Sequence, residues 1–379
     1  MTSHVFIAPR FRQRGLTLVE LMVAIAINLL LVLAATLLYL NTRSVQKAVD
    51  EKSAVSETGQ FALALVGREL TLASFYPVAA SEPATAGQAA QVGALMTYDQ
   101  AAGQMVDAGL LPPAYRHGLM GCDGKLFSAQ THACVDHTDA AAAGSDSLVV
   151  AYFTSDAMGL SAGLRADCTR ADVANDASVA RNTLRVGTQP QTPEQVAAGQ
   201  AAGRRESLGL QPASPLLVIN HYFLRPIELT REGGGTINSL ALYCRGNGHI
   251  SNGTMSSTEL VRGVEQMVVR YGVRDPAAGF SGMSPHQYLT AAQVSALPSM
   301  NLGDVTLDGW QQVLAVRVCL VVRSTEATAS RDGSGNPVAI TDCHGESMSL
   351  ADRGQLKRFE RTFSVKNRQG VSTAIQGGA

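Results

Sequence analysis

One ionisable side chain, Glu20, lies inside an apolar segment that is long enough to cross a membrane. The segment covers residues 16–40, and as an α-helix it would measure about 37 Å, against ~30 Å of bilayer hydrocarbon. A carboxylate without a partner is costly in lipid, by roughly 2.5 to 3.5 kcal/mol at mid-span and by less near an end. Glu20 is therefore a candidate functional residue, provided that a cation can reach it.

A short basic leader precedes the apolar segment. Residues 1–15 hold Arg10, Arg12 and Arg14 and no acid. Because positive charge favours the cytoplasmic side, we expect the leader to stay inside and the residues after Leu40 to lie outside the inner membrane. The formal net charge is −1 for the whole chain, so it is −4 once the three arginines are removed. Since no basic tract follows the leader, neither value favours nucleic-acid binding.

Cleavage of the chain after Gly15 would supply the cation that Glu20 needs. The new α-amino group of Leu16 would then lie near Glu20, at a similar depth in the membrane. The segment Arg14-Gly15-Leu16-Thr17-Leu18-Val19-Glu20 resembles the class III signal of type IV prepilins and of type II secretion pseudopilins. The resemblance implies cleavage between Gly15 and Leu16 by a prepilin peptidase, N-methylation of Leu16, and a docking role for Glu20 in assembly.

Two other interpretations of the N-terminus stay open. One is an ordinary signal anchor with a stray glutamate. The other is a cleavable secretory signal, although its apolar core would span only ~7–15 residues. Leu16 is also a departure from the phenylalanine that many prepilins have at this position.

The helical pattern continues beyond the apolar segment. Apolar residues recur at spacings of three, four or seven over residues 41–76, which predicts an amphipathic second half of the same helix. The recurring residues are Val45, Ala48, Val49, Val55, Ala62, Val66, Leu70 and Ala73. Pro77 is expected to end the helix, whereas Gly59 and Gly67 are expected to weaken it by about 1 kcal/mol each. The alternative is two helices with a break near Asn41.

The sequence of residues 77–379 predicts a β-rich periplasmic head. Aliphatic and β-branched runs predict strands, Gly233-Gly234-Gly235 predicts a hairpin turn, and residues 291–297 predict a short helix. The predicted strands cover residues 148–154, 216–224, 237–243, 264–273, 313–322 and 359–366, with 313–322 as a central strand. Ala/Gly/Gln/Pro-rich segments at residues 80–108 and 187–215 predict exposed loops. We therefore expect a pilin-like α+β fold, in which a long N-terminal helix packs on an antiparallel sheet with long loops and disulfides.

Three motifs in the head carry a second resemblance. They are residues 263–273, Trp310 with residues 313–318, and residues 358–368. They are similar to strands of the PilW family, the minor pilins of type IV pili. The resemblance implies a minor pilin that joins other minor pilins at the pilus tip and primes polymerisation of the major pilin. It also implies contact with the inner-membrane assembly platform and with a tip adhesin-like protein.

A second member of the same superfamily is the alternative identity. A J-type minor pseudopilin of a type II secretion system shares the N-terminal pattern, although its head is typically smaller. Residues 80–146 match neither family, and their conformation is left open.

All six cysteines lie in the exported part of the chain: Cys122, Cys134, Cys168, Cys244, Cys319 and Cys343. An even number of cysteines in an oxidising compartment predicts disulfides. Fifteen pairings are possible, and we expect sequence neighbours to pair as Cys122–Cys134, Cys168–Cys244 and Cys319–Cys343. Metal binding is the alternative, because His132, His137 and His344 lie beside cysteines. The chain has no Cys-x-x-Cys pair, however, and zinc sites usually contain one.

Sequence motifs give little support to an enzymatic function. HExxH, Walker A and GxGxxG motifs are missing, so we expect a structural protein without cofactor or metal. Asp136, Asp139, Asp146 and Asp156 are close in sequence but lack EF-hand spacing, and we interpret them as solvated loop acids. A membrane-anchored periplasmic enzyme is the third hypothesis, which a bound cofactor or a hydrolytic activity of the purified head would support.

Overall fold

The structure, a computed structural model, describes residues 17–75, 96–99, 104–107, 115, 117–153, 166–171, 173, 217–251, 254–277, 284–302, 305–329 and 334–369. The chain divides into two compact units, residues 1–50 and residues 51–379. Gly15, Leu16, Pro77, Asp156 and the predicted loop 187–215 lie outside the described residues.

A single continuous helix, α1 (Leu18–Leu72), begins in the first unit and has no break at Asn41. The alternative of two separate helices is therefore wrong. Within residues 18–46 the apolar side chains are exposed, and Leu29 and Leu30 are both 65% exposed. Among the described residues, α1 is one helix that is long and apolar enough to cross a membrane. Thr36 satisfies its hydroxyl inside the helix by donating to Val32 O at 2.7 Å.

Five antiparallel strands form the first sheet of the second unit, in the order β3-β6-β7-β8-β9. β7 (Leu217–Thr230) and β8 (Thr236–Ser251) are joined by the predicted turn at Gly233-Gly234-Gly235. Gly234 and Gly235 have φ angles of 85° and 86°, which side-chain-bearing residues adopt only at a cost. The other strands are β3 (Leu119–Cys122), β6 (Ser147–Phe153) and β9 (Thr254–Arg262).

Four antiparallel strands form the second sheet, in the order β11-β10-β14-β17. Their bounds are β10 (Val264–Val273), β11 (Gln287–Leu289), β14 (Val313–Arg323) and β17 (Leu356–Ser364). β14 pairs with β10 on one side and β17 on the other, and all of its residues except Arg317 are buried. The prediction of a central strand at this position is confirmed, as are the other five predicted strands.

Shorter elements complete the described part of the second unit. Its two-stranded pairs are β1 (Met96–Asp99) with β2 (Gln104–Asp107), β4 (Leu126–Ser128) with β5 (Ala133–Val135), β12 (Met300–Leu302) with β13 (Val305–Leu307), and β15 (Ile340–Thr341) with β16 (Ser347–Met348). The first pair lies within residues 80–108, so the prediction of a loop is wrong there. The predicted short helix is α2 (Ala291–Ser295), and α3 (Lys366–Gln369) lies near the end of the chain.

The second half of α1 packs on the sheets through a stripe that includes two glycines. A Cβ atom on Gly59 would overlap the ring of Phe359, and one on Gly67 would overlap the ring of Phe363, both from β17. The two glycines therefore let the helix approach β17 closely. Their low helix propensity, which was the basis of the sequence-based expectation, does not reveal this packing role. The buried residues of this stripe are Val55, Gly59, Ala62, Leu63, Val66, Gly67, Glu69 and Leu70.

The helix ends at Leu72, four residues before the predicted end at residue 76. Ser74 has a φ angle of 61°, which breaks the helix, and its backbone N–H donates to Ala151 O at 3.1 Å. The side-chain amide of Asn367 donates to Leu72 O at 3.1 Å and to Ala73 O at 3.0 Å. A tertiary contact from the far end of the chain thus caps the helix before the proline is reached.

Three disulfides join the six cysteines in the expected pairs, Cys122–Cys134, Cys168–Cys244 and Cys319–Cys343. Their Cα–Cα distances are 5.6, 6.1 and 5.8 Å, within the usual range for a disulfide. The third bond ties β14 to the turn between β15 and β16. Among the described residues no group of three or more histidine, cysteine or acidic side chains is arranged to hold a metal ion.

Candidate functional site

The N-terminus of α1 places Thr17 and Glu20 in a reciprocal capping box. Thr17 N–H and Thr17 Oγ1 each donate to Glu20 Oε2 at 3.1 Å, and Glu20 N–H donates to Thr17 Oγ1 at 3.2 Å. Two N–H groups that a helix leaves unpaired at its start are satisfied in this way. The sequence signal was the Thr-x-x-Glu spacing just before an apolar run, which our sequence analysis did not use.

The carboxylate of Glu20 has capacity for a further partner. All of its hydrogen bonds within residues 17–75 go to Oε2, so Oε1 accepts none there. The neighbouring side chains are apolar and exposed, with Leu18 at 74% and Leu21 at 53%. Glu20 is also the only acid between residues 17 and 49. A negative charge at a helix N-terminus is favoured by the helix dipole, but one oxygen is left for a cation.

The predicted cleavage site adjoins this capping box. Gly15 and Leu16 lie outside the described residues, and the structure first describes the chain at Thr17. Thr17 follows Leu16 directly in the sequence, and its N–H already binds the Glu20 carboxylate. An α-amino group on Leu16 would therefore be one residue away from a group that contacts Glu20.

A second carboxylate on α1, Glu69, was not singled out by the sequence analysis. Glu69 is buried, with 3% of its surface exposed, and three other side chains donate hydrogen bonds to its carboxylate. Tyr152 Oη donates to Oε2 at 2.7 Å, Asn220 Nδ2 donates to Oε2 at 3.0 Å, and Arg68 Nη2 donates to Oε1 at 2.9 Å. Asn220 in turn accepts a hydrogen bond from Cys168 N–H at 3.0 Å. This network joins α1 to β6, β7 and the Cys168–Cys244 disulfide.

The pKa values around Glu69 reflect its charge. The hydrogen bond and the charge of Glu69 raise the pKa of the Arg68 guanidinium. Burial, and then the charge of Glu69, raise the pKa of the Tyr152 phenol far above neutrality. Tyr152 therefore stays protonated and acts as a hydrogen-bond donor. The bonds from Tyr152 and Asn220 connect the helix to the strands of the head, so Glu69 has a structural role.

The interpretation of the aspartates as solvated loop acids is wrong for Asp146. Its side chain is buried and accepts hydrogen bonds from Gly124 N–H and Val269 N–H, both at 2.7 Å. Burial raises the pKa of Asp146 despite these bonds. Asp136, in contrast, is exposed and pairs with Lys125 at 3.0 Å, while Asp139 accepts from Ala141 N–H. Three aspartates close in sequence thus have three different environments.

The histidines of the described head have structural contacts. His137 Nε2 lies 2.9 Å from Ser145 O, and the ring of His132 meets Tyr115 edge-on with 5.4 Å between centroids. His221 is packed between Tyr115 and Phe127, and burial lowers its pKa to about 3. His221 is therefore neutral at neutral pH and belongs to a buried aromatic cluster.

One sequence pattern of hydrolases does occur in the chain. Residues 159–163 read Gly-Leu-Ser-Ala-Gly, a GxSxG spacing, and they lie outside the described residues. In a nucleophile elbow this motif joins a strand of a hydrolase sheet directly to a helix. The last strand that the structure describes before this segment, β6, belongs to an antiparallel sheet and ends at Phe153. The Ala/Gly/Ser-rich composition of the segment is sufficient to explain the match.

Comparisons with known families agree with both resemblances. Residues 10–36 match the model of the prokaryotic N-terminal methylation motif, which covers Gly15, Leu16 and Glu20. Residues 229–367 match the model described as type IV pilus-assembly protein W, PilW, which covers β10, β14 and β17. Neither a search of curated proteins nor a search of solved structures found a match.

Both matched families are structural, pilin-type families and not enzyme families. The match to a pilus-assembly family implies interaction with other pilus components. The apolar part of α1, together with the methylation motif, fits a single-pass anchor in the inner membrane. The two matches, the long apolar helix and the disulfide-bonded antiparallel sheets together support a PilW-type minor pilin of the type IV pilus.

Proposed function

We propose that the chain is a structural minor pilin that helps to initiate type IV pilus assembly and lies in the priming complex at the pilus tip. The observation that carries this proposal is the hydrogen bonding of the Glu20 carboxylate. It is the only acid in a membrane-length apolar stretch, and Thr17 holds one of its oxygens while the other has no donor within residues 17–75. The match to the N-terminal methylation motif supports a cationic α-amine as the missing partner.

The assembly step is a physical one. Prepilin peptidase cuts between Gly15 and Leu16, and N-methylation of Leu16 leaves its amine charged. The Leu16 amine of one subunit then pairs with Glu20 Oε1 of its neighbour. Exchanging lipid for the apolar side chains of another helix changes little free energy, because both surroundings are apolar. The charge pair is therefore the contact that distinguishes a docked helix from a helix in lipid.

The proposed location follows from the same segment. The N-terminus is cytoplasmic, α1 crosses the inner membrane once, and the head is periplasmic until the subunit enters the pilus tip at the cell surface. The partners are prepilin peptidase, the assembly platform, the other minor pilins, the major pilin and a tip adhesin-like protein. The role needs neither a cofactor nor a catalytic residue.

Replacing the Glu20 carboxylate by an amide tests the proposal. In Glu20→Gln the capping bonds to Thr17 can still form, but the attraction for an amine is lost. We expect the protein to be cleaved and retained in the membrane, yet missing from sheared pili, in cells with few surface pili. Glu57→Gln removes an exposed acid from the same helix and should assemble normally. Normal incorporation of Glu20→Gln would refute the proposed mechanism.

A further inference from the structure

The far end of the apolar segment carries a tyrosine and an arginine on one face of α1. Tyr39 and Arg43 are four residues apart, so their side chains are neighbours along the helix. Both are exposed, Tyr39 to 62%. The hydroxyls around them are satisfied within the helix, because Thr42 Oγ1 donates to Leu38 O and Ser44 Oγ donates to Asn41 O, both at 2.8 Å. The face therefore offers a phenol and a guanidinium to its surroundings.

The charge of Arg43 is not balanced by an acid of the same helix. No acid occurs between Glu20 and Asp50, and Arg43 forms no ion pair within the part of α1 that the structure describes. Tyrosine side chains concentrate at the boundary between hydrocarbon and headgroups, where the ring is buried and the hydroxyl is wet. Basic side chains next to a membrane span are attracted to anionic lipids over about a Debye length.

The spacing of the two polar ends matches the thickness of a bilayer. Tyr39 lies nineteen positions after Glu20, which corresponds to about 28 Å of helix rise against ~30 Å of hydrocarbon. When Tyr39 lies at the periplasmic boundary, Glu20 lies at the cytoplasmic boundary. At that depth its charge costs less than at mid-span, and an amine beside it is still partly shielded from water.

We infer that Tyr39 and Arg43 form a headgroup anchor that binds anionic phospholipids of the periplasmic leaflet and fixes the depth of Glu20 in the membrane. The inference rests on the membrane anchoring in the proposed function, but not on the pairing of Glu20 between subunits. Replacing the anchor by leucines lengthens the apolar run toward residue 46. The helix should then slide, so that Ser44 enters the hydrocarbon.

A thiol reporter at Ser44 measures this depth in the full-length chain. All six native cysteines are in disulfides, so Ser44→Cys adds the one free thiol. The protein is reconstituted into vesicles of phosphatidylcholine with phosphatidylglycerol, and its reaction with a membrane-impermeant maleimide is timed. The double variant Tyr39→Leu/Arg43→Leu should react at least about fivefold more slowly, since each basic contact with an anionic surface is worth about that factor.

Two comparisons isolate the charge. Arg43→Gln should slow labelling in anionic vesicles and should make the rate independent of phosphatidylglycerol. Lys52→Gln is the matched control, because this exposed cation lies about 18 Å beyond Leu40 along the helix and should leave the rate unchanged. Equal labelling rates for the double variant and the Lys52→Gln control would overturn the anchor. A labelling rate of the original sequence that does not change with the phosphatidylglycerol content would also overturn it. Failure of the original protein to stay in the vesicles would overturn the membrane anchoring itself.

Discussion

Removal of the buried carboxylate Glu69 should lower the free energy of unfolding by about 4 kcal/mol. In Glu69→Ala, Tyr152 and Asn220 lose an acceptor at 2.7 and 3.0 Å, and both residues are buried. Each buried donor without a partner costs about 1–3 kcal/mol. The one lost methylene adds about 0.8 kcal/mol. The ion pair with Arg68 adds little, because the Arg68 side chain is 71% exposed and water replaces its partner.

Denaturant titration of the full-length chain in detergent measures this loss. Trp310 is the only tryptophan, and its ring packs edge-on against Tyr271 in the core, so its fluorescence reports unfolding of the head. Glu57→Ala removes an exposed acid from the same helix and should change stability by less than about 0.5 kcal/mol. A loss for Glu69→Ala no larger than that for Glu57→Ala would refute the reasoning.

A double-mutant cycle separates the hydrogen bond from the other effects. Tyr152→Phe keeps the ring but removes Oη, and alone it should cost about 1–2 kcal/mol. Combined with Glu69→Ala it should cost less than the two losses added together, because the first change has already removed the bond. Additivity within about 0.5 kcal/mol would show that the two side chains are not coupled.

Three further predictions follow from single contacts. Gly59→Ala should destabilise the head by about 1–2 kcal/mol, because the cost of the overlap with Phe359 exceeds the gain in helix propensity. Gly233 has open space around it, so Gly233→Ala should be near neutral in the same denaturant titration. Thr17→Val should speed amide hydrogen exchange at residues 18–21 about fivefold through loss of the cap, and Thr17→Ser should not. Burial alone would raise the pKa of the Asp352 carboxyl. The hydrogen bonds from Arg323 and Gly354, and the charges of Arg323 and Arg231, outweigh burial, so the pKa of Asp352 is lowered. A carboxyl whose pKa is lowered by folding stabilises the folded protein at pH values above its unfolded pKa of ~3.9. That contribution is lost as the pH falls through the folded pKa. Stability measured against pH should therefore fall more steeply below about pH 4 in the original chain than in Asp352→Asn, and equal slopes would contradict the assignment.

Local patterns were sufficient for much of this fold. Membrane-length hydrophobicity and 3.6-residue periodicity predicted α1, because a helix is specified by neighbours along the chain. Runs such as residues 264–273 and 313–322 predicted strands for the same reason. The Cys168–Cys244 pair was expected from the order of cysteines alone, although that order contains no distances.

Features that depend on distant residues could not be predicted. The periodic stripe of α1 gives no indication that Gly59 and Gly67 face phenylalanine rings from a strand some 300 residues later in the chain. Asp146 is buried because Val269 and Gly124 approach it, and its neighbours in sequence do not reveal this. The helix ends at Leu72 because Asn367 caps it there, so the visible stop signal at Pro77 was not the one used. The Thr17–Glu20 capping box was local and could have been found from its spacing.

Processing at Gly15 is the step on which the pairing of Glu20 depends, and the intact mass of the protein tests it directly. The protein should be purified from membranes and from sheared pili of cells that mature their other pilins. Its mass should correspond to a chain that begins at Leu16 and carries one methyl group on the α-amine. Recovery of a chain that still holds residues 1–15 would contradict the account, because no free amine would then lie beside Glu20.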